Sequence, residues 1–165
     1  MENADLRLLR AMRTRLHTPA LEDAMRVLGK AGNNAAIWFA LGAVLSALDS
    51  ANREAWLVCA LLGPFAIGLN YVVKLLVKRP RPDLGEALPP LGGAPSSLSF
   101  PSAHATSSFA VATAMTRVEP IAALAFILAV ALSLGRPYLG MHYPSDVLAG
   151  ALLGIGLGLV VPLPS

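Results

Sequence analysis

The chain has 165 residues, 55% of them hydrophobic and only 14% charged, with a formal net charge of +3. Soluble domains carry roughly 25% charged residues, so this deficit, together with several long apolar runs, excludes an ordinary soluble domain and places the chain in a bilayer. Six of the thirteen basic residues (Arg7, Arg10, Arg13, Arg15, Arg26 and Lys30) fall near the N-terminus. That bias suits anionic lipid, and no basic patch interleaved with aromatics argues for nucleic acid.

In chain order, residues 4–16 place Leu9, Met12 and Leu16 on one helical stripe, with Arg7, Arg10 and Arg13 elsewhere on the wheel. The pattern predicts an amphipathic helix lying along the headgroups, or alternatively a solvent-facing helix packed on a partner. Thr18-Pro19 reads as an N-cap and first helical residue, Leu21, Ala24, Met25 and Leu28 as the next apolar stripe, and Gly29 as a stop. No cleavable signal is predicted, because the first apolar run begins only near Ala35, behind Glu2, Asp5, Glu22 and Asp23. Four or five spans are expected, at about 33–48, 55–77, 101–118, 120–134 and 145–161, several of them shorter than the usual ~20 residues. A polar, proline-rich loop covers 78–100 and contains Arg79-Pro-Arg-Pro82, Pro89-Pro90, Gly92-Gly93 and Ser96-Ser97. Cys59, the single cysteine, sits in an apolar run and reads as a buried small hydrophobe. Gly150, Gly154 and Gly158, and the face made by Ala103, Ser107, Ala110 and Ala114, predict close helix packing, either within the chain or in a homodimer. The expected architecture is an all-α, polytopic membrane helix bundle. It forms a single domain over 1–165, with 1–30 amphipathic and 33–162 the helical core.

Alternating the five spans brings three polar clusters to one membrane face. Lys74 to Arg81 closes the second span, Pro101 to His104 opens the third, and Arg136 to Asp146 joins the last two. Taken singly, Lys74, Lys78 and Arg79 read as snorkelling anchors, Ser102 as a helix start, His104 as a satisfied interfacial histidine and Arg136 as a topology charge. Together they supply cations, two histidines, a carboxylate, a hydroxyl and a helix N-terminus. That inventory suits phosphoryl transfer, because cations and N–H groups neutralise the equatorial oxygens and a histidine can attack phosphorus.

The spacing Lys74-x6-Arg81-Pro82, then Pro101-Ser102-Ala103-His104, then Arg136-x5-His142-x3-Asp146 resembles the three-part signature of the type 2 phosphatidic-acid phosphatase superfamily. Two positions depart from it: Ala103 stands where glycine is usual, and Gly135 where serine is usual. The resemblance implies a lipid phosphatase in which His142 is the nucleophile, forming a phosphohistidine. It implies that Asp146 orients His142, and that His104 is the acid for the leaving alcohol and then the base for water. It further implies that Lys74, Arg81, Arg136, Ser102 and the Ala103 amide hold the phosphate, with no metal and no cofactor.

Within the superfamily, the amphipathic N-terminus and the general look of the chain resemble phosphatases of polyprenyl-linked phosphoribose in cell-wall arabinan synthesis. Undecaprenyl pyrophosphate, phosphatidylglycerol phosphate and phosphatidic acid are the other substrates to weigh. A lipid phosphotransferase would use the same intermediate but pass phosphate to an alcohol, and a transporter would use the cations as an anion site. With Arg53 and Arg117 the only cations of the opposite loops, the positive-inside rule places the N-terminus and the site on the cytoplasmic side of the plasma membrane. Counting helix 4–29 as a further span would invert this.

Overall fold

The computed structural model describes residues 4–15, 17–91 and 98–164. Leu16 of the first predicted stripe, and Gly92, Gly93, Ser96 and Ser97 of the predicted loop, lie outside the described residues, as do 1–3 and Ser165. Among the described residues the fold is all-helical: α1 (Ala4–Arg15), α2 (Pro19–Ala31), a 3-10 turn (Asn33–Ala35), α3 (Ala36–Leu48), α4 (Arg53–Val77), α5 (Ala103–Val118), a 3-10 turn (Pro120–Leu124), α6 (Ala125–Tyr138) and α7 (Pro144–Val160). Thr18 caps α2 as its sequence predicts, its hydroxyl accepting from the Leu21 N–H at 3.2 Å. The helix does not stop at Gly29 but runs on to Ala31.

Two stretches, Arg53–Val77 and Pro120–Tyr138, are long and apolar enough to cross a bilayer. The pair Pro19–Ala31 and Asn33–Leu48, bent by 54°, would make a third as a broken span. The bend has a local cause, since Asn34 and Ala35 both take left-handed φ values, 53° and 58°. Length and hydropathy thus support two or three of the five expected spans. The shorter α5 lies between α4, α6 and α7, so much of its surface meets protein rather than lipid. That placement explains its tolerance of Thr106, Ser107 and Ser108, all buried. Thr106 and Ser107 donate to the carbonyls of Ser102 and Ala103 at 3.0 Å, and Ser108 accepts from the Trp38 indole at 2.9 Å.

The closest pairing in the bundle is α5 on α7. A Cβ added at Gly150 would lie 2.6 Å from the Ser102 carbonyl oxygen, one at Gly158 would lie 2.5 Å from that of Ala110, and Gly154 faces the Thr106 carbonyl in the same way. The glycine face is therefore occupied within the chain, Ser107, Ala110 and Ala114 of the α5 face are buried as well, and nothing among the described residues supports the homodimer that these faces also suggested. Cys59 is buried in the core, as its sequence context predicts.

Helix α1 departs from the simple amphipathic picture. Leu9 is buried, but so is Arg13, which was expected on the outer basic face. Arg13 donates to the Pro89 carbonyl at 2.6 Å. Arg7, Arg10 and Arg15 remain exposed.

Candidate active site

Six of the expected residues line one pocket of about 270 Å³: Lys74, Arg81, Ala103, His104, Arg136 and His142. Gly32, Asn33, Asn34 and Ile67 complete its wall. Ser102 and Asp146, both fully buried, stand behind it. A larger cavity of about 540 Å³, lined by α4 and the end of α7, is apolar and carries no titratable group.

Each side chain arrives there for a local reason. Lys74 sits on the last full turn of α4, and its ammonium donates to the carbonyls of Leu98 at 2.5 Å and Ser99 at 3.4 Å. Lys78 ends α4 in the left-handed conformation, φ 53°, and Arg81, three residues on, lines the pocket. Arg81 donates to the Met141 carbonyl at 2.5 Å and lies 3.2 Å from His142 Nε2. Arg136 was expected in a loop, but α6 continues through Pro137 to Tyr138, so the guanidinium is fixed on a helical turn. Its Nη2 points at the Met141 sulfur at 2.7 Å, its Nε has no partner, and no carboxylate pairs with it among the described residues.

A buried cation without a counter-ion is costly, and it marks where an anion belongs. The buried Ser102 hydroxyl is also without a partner and precedes the first turn of α5. Free N–H groups of a helical first turn suit a phosphate.

His142 stands in the loop between α6 and α7. Burial, reinforced by the charges of Arg81, Lys74 and Arg136, holds its pKa down at about 4 against the opposing pull of the neighbouring Asp146 carboxylate. The imidazole is therefore neutral at pH 7 and keeps a lone pair. His142 Nδ1 lies 3.5 Å from Asp146 Oδ2 and has no hydrogen bond in this arrangement. A normal bond here is about 2.9 Å, so the dyad is aligned but open, as unliganded sites often are. Pro144 and the Tyr143 N–H, which donates to Asp146 Oδ2 at 2.9 Å, place the carboxylate in the first turn of α7. His104 Nε2 lies within hydrogen-bond distance, 3.1 Å, of the Gly29 carbonyl oxygen on α2.

Gly135 gains a structural account. A Cβ there would lie 3.2 Å from the Met25 sulfur, so the missing serine coincides with the close passage of α2 over α6.

The chemistry-bearing residues that the motifs did not mark are Arg79, Asp5 and Gly29. Arg79 was read only as an anchor, and Asp5 only as one of the acids preceding the first apolar run. Nothing local in the sequence signals that they meet, because 74 positions separate them.

An all-helical membrane bundle with a cationic, histidine-bearing pocket at one end suits a class of phosphoryl-transfer enzyme. Residues 53–163 match the PAP2 superfamily. The chain belongs to that superfamily and is a membrane lipid phosphatase, a hydrolase. It is 36% identical over 143 residues to the decaprenylphosphoryl-5-phosphoribose phosphatase of Mycobacterium tuberculosis (strain ATCC 25618 / H37Rv), covering 87% of this chain and 80% of that one. Its fold is similar to the crystal structure of Aquifex aeolicus LpxE, with TM-score 0.78, 25% identity, and coverage of 96% and 94% of the two chains. It is similar too to a transmembrane PAP2 type phosphatidylglycerolphosphate phosphatase from Bacillus subtilis, with TM-score 0.74, 26% identity, and coverage of 95% and 82%.

Proposed function

We propose that this single-domain chain removes the phosphomonoester from a polyprenyl-linked phosphoribose in cell-wall arabinan synthesis, through a phosphohistidine at His142. The observation that carries the mechanism is the position of His142 Nε2 beside a pocket formed by Lys74, Arg81 and Arg136. The phosphate displaces Arg81 from the nitrogen lone pair and bridges the three cations. Nε2 then attacks phosphorus as the P–O bond to the sugar breaks, and Asp146 stabilises the imidazolium that forms. His104 protonates the departing alkoxide. It next takes a proton from water, whose oxygen attacks the phosphohistidine, releasing inorganic phosphate and restoring neutral His142.

Two features support the sugar-linked substrate. One is the likeness to the mycobacterial enzyme. The other is the pair Asn33 and Asn34, exposed on the pocket wall, whose amides offer both donors and acceptors to hydroxyl groups. Phosphate release by the purified protein in lipid nanodiscs tests this. A polyprenyl-linked phosphoribose should exceed polyprenyl pyrophosphate and phosphatidylglycerol phosphate by about tenfold or more in kcat/KM, the scale set by polar contacts to a leaving group. Equal or faster hydrolysis of the pyrophosphate overturns the substrate assignment. Product that depends on an added alcohol acceptor would make the protein a phosphotransferase.

The site is assigned to the cytoplasmic face of the plasma membrane. Support comes from the exposed Arg7, Arg10 and Arg15 on α1, a helix that packs at the same end as the pocket. Five crossings, with α1 and α2 on the surface, then put the C-terminus outside. A reporter fused there should be active only in the extracytoplasmic compartment; a cytoplasmic signal removes either the span count or the orientation.

A further inference from the structure

Behind the His142–Asp146 dyad lies a second group of charges that the three motifs leave unassigned. Asp146 accepts from Arg79 Nη1 through Oδ1 at 2.7 Å. Arg79 is held from four directions: its Nη1 also reaches the Ser145 hydroxyl at 2.7 Å, its Nη2 reaches Asp5 Oδ2 at 2.9 Å, and its guanidinium lies 3.8 Å over the Tyr143 ring. Asp5, from α1, accepts from the Ser145 N–H at 3.1 Å through Oδ1 and from the Ser145 hydroxyl through Oδ2. Burial opposes Arg79's charge, but the bonds and charge of Asp5 and Asp146 outweigh it and hold its pKa above the ordinary value. Asp5 is likewise held below its ordinary value by Ser145 and Arg79 despite partial burial.

We propose that Arg79 and Asp5 are a positioning pair for the nucleophile, so that α1 is part of the active site. Arg79 fixes one oxygen of Asp146 so that the other faces His142 Nδ1. Asp5 offsets the arginine's charge, which would otherwise drain the negative potential that Asp146 presents to the imidazole. Neither side chain lines the phosphate pocket. Their effect therefore falls on the basicity and orientation of His142 and leaves phosphate binding alone.

The inference rests on His142 being the nucleophile, and the experiment separates the two. Steady-state kinetics and pH profiles of phosphate release would be measured for Arg79→Gln, Arg79→Lys, Asp5→Asn, the Arg79→Gln/Asp5→Asn double variant and His142→Ala. The charges facing His142 are Lys74 from α4, Arg81 from the loop after it, His104 from α5, Arg136 from α6 and Asp146 from α7, with Arg79 and Asp5 beyond Asp146. All but the last two are constant across the non-alanine variants. Removing Arg79's positive charge raises the imidazole pKa and moves the acid limb of kcat/KM to higher pH, whereas removing Asp5's negative charge moves it to lower pH.

For Arg79→Gln, kcat should fall about tenfold or more with KM little changed, as for other groups that orient a reactive side chain from behind. Arg79→Lys should recover part of that loss. Asp5→Asn keeps the side-chain shape and one acceptor oxygen in the first turn of α1, so it is read in a folded protein, and its loss should be smaller. In the double variant the two effects should be less than additive. If His142→Ala is inactive while Arg79→Gln and Asp5→Asn match the native kcat and acid limb, the positioning role is wrong and the nucleophile stands. A rise in KM alone, or two limb shifts of the same sign, also overturns it. Turnover by His142→Ala removes the nucleophile assignment instead.

Discussion

Substituting His142 by alanine is expected to abolish phosphate release, a loss of ~10⁴-fold or more by comparison with nucleophile deletions in other covalent hydrolases. Two properties make the expected loss that large. The imidazole is neutral at pH 7, its pKa held at about 4 by burial first and by neighbouring cations second, and its Nε2 already faces the pocket that gathers Lys74, Arg81 and Arg136. The alanine variant keeps those cations and should still bind inorganic phosphate. Binding with no turnover would confine the defect to the bond-forming step, and near-native turnover would move the nucleophile to another residue. The variant also relieves a buried, unbonded Nδ1, so its thermal stability should not fall enough to account for the lost rate.

Gly150→Ala should also be damaging, by a smaller factor and through packing alone. The new methyl group would sit 2.6 Å from the Ser102 carbonyl oxygen and 3.1 Å from the Ala105 Cβ. The first of these is backbone and cannot swing aside. Overpacking of this kind costs about 1–3 kcal/mol, and here it pries α7 from α5 where the two helices meet behind the pocket. The Ser102 N–H donates to the Asp146 carbonyl at 2.9 Å, one helical turn from Gly150, so separating them displaces the carboxylate from the phosphate-facing N-terminus. A lowered melting temperature and a kcat reduced by about tenfold or more are expected. Unchanged kinetics and stability would show that the close contact does not position the site.

Much of the site is legible in the chain because charge in an apolar sequence is conspicuous. Arg136, His142 and Asp146 stand out between apolar runs, and their helical spacing predicts that the last two meet. Lys74 and Arg81 were placed on the correct end of α4 by the same logic. The departures arise where tertiary packing overrides local signals. Gly29 looked like a helix stop, yet α2 continues past it, since glycine there permits the close pass of the Arg136 guanidinium, 2.9 Å from an added Cβ. The fourth span was expected to end near residue 134, but a proline can be carried near a helix end, and α6 extends through Pro137 to Tyr138. Arg13 looked solvated because its helix is rich in arginine; only the loop carbonyl of Pro89 and the cover of neighbouring helices explain its burial. The Asp5–Arg79 contact was invisible because it joins distant segments without any periodic pattern. The span count stayed partly hidden for a related reason: α5 is surrounded by protein and has no need of the hydropathy by which a crossing helix is recognised.

The uncompensated Arg136 has a thermodynamic consequence for the empty enzyme. Arg136 is 6% exposed, its Nε has no protein partner, and no carboxylate among the described residues offsets its loss of hydration. The cost is paid in every molecule that holds no phosphate, and it is returned when an anion enters. Folding and occupancy are therefore linked. Whatever binds the native pocket, substrate or released phosphate, shifts the unfolding equilibrium in proportion to the logarithm of its concentration over its dissociation constant. Added phosphate should therefore raise the melting temperature, and the charge expected to receive the substrate should also hold the product.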